Sequence, residues 1–106
     1  MARVLLLEDD LDQLELRRLL LEGAGHRVEA AVSASDAMAF VDGPDVLVLD
    51  LVPGFEGVLS ALPACVRVIV LSGRESVPET VRERAACVLR KPCPTRMLME
   101  AIGHKG

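Results

Sequence analysis

Residues Val4, Leu5, Leu6, Leu7, Glu8, Asp9 and Asp10 follow one another near the amino terminus, four aliphatic side chains and then three carboxylates. A run this short and this apolar suits a strand buried on both faces of a parallel sheet, and the acidic residues mark its end. The same pattern recurs at residues 46–49 before Asp50, at 68–71 before Ser72, and more weakly at 87–89 before Lys91 and Pro92. Residues 28–31 read as a less apolar, more peripheral strand.

The segments between these runs carry helix punctuation. Asp10 or Asp12 can cap a first helix that ends near Gly23 or Gly25. Within it Leu16, Leu20 and Ala24 recur at helical spacing, while Leu11, Leu14, Leu19 and Leu21 widen the apolar surface. Ser33 or Ser35 opens a second helix, closed by Asp42, Gly43 and Pro44 with a left-handed cap at the glycine. Roughly residues 57–62, under two turns, remain for a third helix between Asp50 and the next apolar run. Ser76 and Glu79 fit a capping box, with Pro78 in the first turn of a helix running to about residue 86. Pro94 starts a last helix with Leu98, Ala101 and Ile102 on one face, ending at Gly103 and His104. The order βαβαβαβαβα predicts a doubly wound α/β sheet with right-handed crossovers.

A chain of 106 residues makes one domain with one modest core. Hydrophobic residues are 51% and aromatic residues only 2%, so that core must be built from Leu, Val, Ala and Met. A formal charge of −4 argues against a nucleic-acid surface, which needs clustered Lys and Arg. Cys65, Cys87 and Cys93 have no C-x-x-C spacing and read as small apolar fillers in a reducing compartment. The isolated His26 and His104 give no zinc pattern. There is no signal-peptide pattern and no run long enough to span a bilayer, so the expectation is a cytoplasmic protein without membrane contact.

Doubly wound sheets bind ligands beyond the carboxyl ends of their strands, where the strand order reverses. Those ends hold Glu8, Asp9, Asp50, Ser72 and Lys91. Carboxylates brought together repel unless a cation compensates. Hard oxygen donors suit Mg²⁺, which accepts one or two carboxylates alongside waters and a phosphoryl oxygen. A strand-end carboxylate can also be a nucleophile that becomes an aspartyl phosphate. The equatorial oxygens of a transferred phosphoryl group then need partners, and a metal, an ammonium and a hydroxyl supply them. Lys91 is one of only two lysines, which makes its place in this set more telling.

The set Glu8-Asp9-Asp10, Asp50-Leu51, Ser72-Gly73 and Lys91-Pro92 resembles the receiver domains of two-component response regulators, in order and over essentially the whole chain. The resemblance implies a flavodoxin-like fold, a five-stranded parallel sheet of order 2-1-3-4-5, and a single receiver domain over 1–106 without an output domain. It makes Asp50 the phosphoacceptor and Lys91 the partner of the phosphoryl group. Ser72 is then the switch hydroxyl. Glu8, Asp9 and Asp50, with the backbone carbonyl of Val52, are the Mg²⁺ ligands. The implied partners are a histidine kinase or phosphotransfer protein and a downstream protein target, and the implied chemistry is Mg²⁺-assisted self-phosphorylation and dephosphorylation, not enzymatic turnover. Pro92 resembles the family's cis-proline. Three features depart from the family: the loop after Asp50 is one residue short, the segment from Asp50 to Ser72 is compressed, and Val88 replaces an aromatic residue. A degenerate receiver acting as a phosphate-independent interaction module is the rival reading. An α/β phosphatase is a third, but Val52 stands where its acid/base aspartate belongs.

Overall fold

The computed structural model describes residues 1–73 and 76–103. Five strands alternate with five helices: β1 (Arg3–Leu7), α1 (Leu11–Gly23), β2 (Arg27–Ala31), α2 (Ala34–Ala37), β3 (Val46–Asp50), α3 (Phe55–Ala61), β4 (Arg67–Ser72), α4 (Glu79–Arg84), β5 (Cys87–Arg90) and α5 (Thr95–Gly103). A 3₁₀ turn, Met38–Phe40, extends α2. All strand pairs are parallel and the sheet order is β2-β1-β3-β4-β5, as expected from the sequence.

Period-two alternation divides the strand side chains between two cores. Leu5, Leu7, Leu47, Leu49, Val68 and Val70 pack with Ala37, Phe55, Val58 and Val81 from α2, α3 and α4. Val4, Leu6, Val46, Val48, Ile69 and Leu71 pack on the other face with Leu14 and Leu21 of α1 and Leu98 and Ile102 of α5. Burial of both faces explains the unbroken aliphatic runs of β1, β3 and β4. The edge strand β2 is half-exposed, with Arg27 and Glu29 facing solvent.

Asp10 caps α1, its carboxylate accepting from the Asp12 and Gln13 N–H groups at 3.0 and 3.2 Å. Ser33 caps α2 through the Asp36 N–H. α3 is under two turns long, in keeping with the compressed segment, and starts at Gly54, whose φ of 84° requires a glycine. Arg67 of β4 donates to the Ala101 and Ile102 carbonyls at 2.9 and 3.2 Å, satisfying acceptors that the last turn of α5 leaves open.

Four local expectations are corrected. The second helix ends at Ala37 and Gly43 has no left-handed conformation, because a 3₁₀ turn rather than a glycine cap closes it. The Ser76–Glu79 capping box does not form; Pro78 itself is the N-cap of a helix of only six residues. On α1 the core takes Leu14 and Leu21, whereas Leu16, Leu19 and Leu20 lie exposed. Cys65 is exposed rather than a core filler, and all three cysteines are free thiols. The expected helix end at His104 lies outside the described residues, as do Lys105 and part of the loop after Ser72.

Candidate functional site

β1 and β3 are neighbours with Leu7 opposite Leu49, so the next residues, Glu8 and Asp50, emerge side by side at the carboxyl ends. Both follow the parity of the core under α1 and α5, which aims them at the same face. Asp9, one residue further on, is exposed. One oxygen from each of Glu8, Asp9 and Asp50 lies within 4.8 Å of the others. The cis peptide between Lys91 and Pro92 follows β5, and the Lys91 N–H donates to the Ser72 carbonyl at 2.8 Å. From there the Lys91 ammonium stands 3.1 Å from Asp50 Oδ1 and 3.5 Å from Glu8 Oε1.

The buried Glu8 carboxyl and the half-buried Asp50 carboxyl are shifted in opposite directions. Burial raises the Glu8 carboxyl above its usual range, and the adjacent Asp50 pushes the same way. Burial also opposes ionisation of Asp50, but the hydrogen bond shared with Glu8, the Lys91 ammonium and the Leu51 N–H together carry it below its usual range. Of the pair, Asp50 is the one whose surroundings favour the ionised form.

The remaining site residues lie close by. Ser72 is buried and follows Leu71, the β4 neighbour of Asp50. The Val52 N–H donates to the Asp50 carbonyl at 2.8 Å, and the Val52 carbonyl accepts from the Phe55 N–H at 3.1 Å, so this carbonyl also serves the start of α3. Val88, in the aromatic position of the resemblance, is exposed.

Sequence reasoning missed Arg17. Its guanidinium donates to Glu8 Oε1 and is largely buried. The signal was present in the spacing: Leu14, Arg17 and Leu21 form one helical seam, so an arginine at the middle position must face the sheet.

A donor set of three oxygens, with no Cys or His in it, fits a hard cation such as Mg²⁺. A cavity of about 540 Å³, lined by residues that include Arg3, His26 and Arg27, opens at the amino ends of β1 and β2, at the opposite end of the strands from the carboxylate cluster.

Solved structures overlay closely on this architecture. A CheY-like receiver domain from Methanospirillum hungatei matches with a TM-score of 0.81 at 24% identity, covering 96% of this chain and 90% of its own. This is the receiver-domain fold. A second CheY-like receiver domain, from Methylobacillus flagellatus, gives a TM-score of 0.82 at 21% identity, with 96% of both chains covered. The chemotaxis protein CheY4 of Vibrio cholerae gives 0.81 at 25% identity, again with 96% of both chains covered. No protein-family model matches the sequence, and no curated protein matches it significantly. No helix among the described residues is long and apolar enough to cross a membrane.

Proposed function

We propose that the chain is a cytoplasmic phosphoacceptor receiver of a two-component or phosphorelay system, with Asp50 the residue that is phosphorylated and Mg²⁺ the required cofactor. The observation that carries this reading is the Lys91 ammonium standing between Asp50 and Glu8 at the strand ends of a receiver fold.

In this reading an Asp50 carboxylate oxygen attacks phosphorus, the bond from phosphorus to the donor breaks, and an acyl phosphate forms. The donor is a phosphohistidine of a histidine kinase or phosphotransfer protein, whose imidazole leaves with the electron pair. Asp50 suits attack because its lowered proton affinity keeps it ionised at neutral pH. Lys91 supplies positive charge beside the oxygen that reacts, and it remains there to pair with the phosphoryl group. Ser72 offers a hydroxyl to a phosphoryl oxygen. Glu8, Asp9 and Asp50, with the Val52 carbonyl, are the groups that would hold Mg²⁺. When bound, the metal supplies charge neutralisation for the incoming phosphoryl oxygens.

Intact-mass measurement after incubation with acetyl phosphate tests the proposal. Wild type gains one phosphoryl group in Mg²⁺ and none in EDTA, and Asp50→Asn gains none in either. An unmodified wild type in Mg²⁺ supports the phosphate-independent interaction module instead.

A further inference from the structure

The seam of α1 that faces the sheet consists of Leu14, Arg17 and Leu21; the leucines enter the core and the Arg17 side chain keeps only 12% exposure. Its guanidinium holds Glu8 Oε1, the atom that Lys91 also faces from 3.5 Å. The other Glu8 oxygen, Oε2, accepts from the Asp10 N–H at 3.4 Å. Both oxygens of this buried carboxylate are thus engaged by the chain itself. Asp9 is different: it is exposed and makes no ion pair among the described residues.

We propose that Arg17 is a built-in counter-cation of the metal site, which holds Glu8 and weakens divalent-cation binding. This rests on the preceding reading of the carboxylate cluster as an Mg²⁺ site. The physical basis is charge and position. A guanidinium stays protonated at any ordinary pH, and here it is held by the helix rather than free to disperse into solvent. Arg17 and Lys91 place two fixed cations beside the Glu8, Asp9 and Asp50 cluster, so an arriving divalent ion meets less negative potential than the carboxyls alone would offer. Arg17 also gives the buried Glu8 carboxyl a charged partner, without which its ionised form would be strongly disfavoured there. A metal that displaced the guanidinium would have to break this pair first.

Calorimetric titration of the whole chain with Mg²⁺ at constant ionic strength provides the test, using wild type, Arg17→Gln, Arg17→Lys and Asp9→Asn. Removing one unit charge a few ångströms from a divalent ion in a partly wet site tightens binding about tenfold in Arg17→Gln. Arg17→Lys, which keeps the charge, stays near wild type. Thermal unfolding gives a second reading: Mg²⁺ raises the melting temperature of Arg17→Gln more than that of wild type. If Arg17→Gln is unfolded without metal, recovery of its helical circular dichroism in saturating Mg²⁺ supports the proposal, and failure to recover overturns it. Unchanged or weaker Mg²⁺ affinity in Arg17→Gln, with binding still lost in Asp9→Asn, defeats the role of Arg17 alone. Absence of Mg²⁺ binding in all four proteins removes the metal site and this proposal together.

Discussion

Replacing Asp9 by Asn should invert the order of stability between metal-free and metal-bound protein. In the metal-free state the Asp9 carboxylate lies within 4.8 Å of oxygens on Glu8 and Asp50. Two like charges at that separation repel by about 3.5 kcal/mol at an effective dielectric of 20, and by about 1 kcal/mol at that of water. Asp9 is exposed, so the smaller figure applies, and Asp9→Asn gains about 1 kcal/mol at low salt. Magnesium reverses this. At a hundredfold excess over its dissociation constant it stabilises wild type by about 2.7 kcal/mol, and the variant, lacking the exposed ligand, forgoes most of that. For a domain of this size each kcal/mol moves the melting temperature by roughly 4–8 °C. Wild type therefore melts roughly 4–8 °C below the variant in EDTA and rises by roughly 10–20 °C in saturating Mg²⁺, passing it. With no Trp or Tyr in the chain, far-ultraviolet circular dichroism is the suitable probe. A variant that melts below wild type in EDTA, or that keeps the full Mg²⁺ shift, would refute the reasoning.

Other expectations follow from the same contacts. The raised Glu8 carboxyl contributes stability below its ordinary value of 4.5 and loses it as pH rises through the folded value; the lowered Asp50 contributes above 3.8 and loses it in acid. In EDTA, then, wild-type stability relative to Glu8→Gln falls as pH rises above about 4.5, and a flat or rising difference by urea titration contradicts the assignment. Arg67→Ala removes two hydrogen bonds to the end of α5 and should cost roughly 1–3 kcal/mol, with amide-exchange protection in that helix lost preferentially. Because Val88 has no ring to relocate and α4 is six residues long, beryllofluoride should shift amides mainly at 51–57 and 72–77. Comparable shifts over 95–103 would show that β5 and α5 respond regardless.

The strands were legible because burial on both faces leaves an unambiguous aliphatic run, and the site because a strand end fixes where the next residue goes. Glu8 and Asp50 needed only the β1–β3 adjacency to meet. Helix details were less legible. The apolar surface of α1 is so broad that spacing alone permits several seams, and only docking on the sheet selects Leu14 and Leu21 over Leu16 and Leu20. Arg17 was missed for the same reason, since its spacing marks it only once the Leu14–Leu21 seam is known to win. The capping box at Ser76 was a local signal overridden by Pro78, which disfavours the helical region at Val77, so α4 starts after the proline.

The outer strands of the sheet bear on how this molecule behaves among copies of itself. β2 and β5 each leave one row of backbone donors and acceptors without a neighbouring strand, the kind of border onto which a foreign strand can add. Arg27 and Glu29 sit on one border and Arg90 on the other, all exposed, and each strand is only four or five residues long. A stranger pairing there would have to bring those charges against its own chain over a short overlap. A sequence this rich in Leu and Val thus keeps its most adhesive segments, β1, β3 and β4, in the middle of the sheet and presents charged, abbreviated margins to the outside, a layout that discourages runaway self-assembly at high concentration.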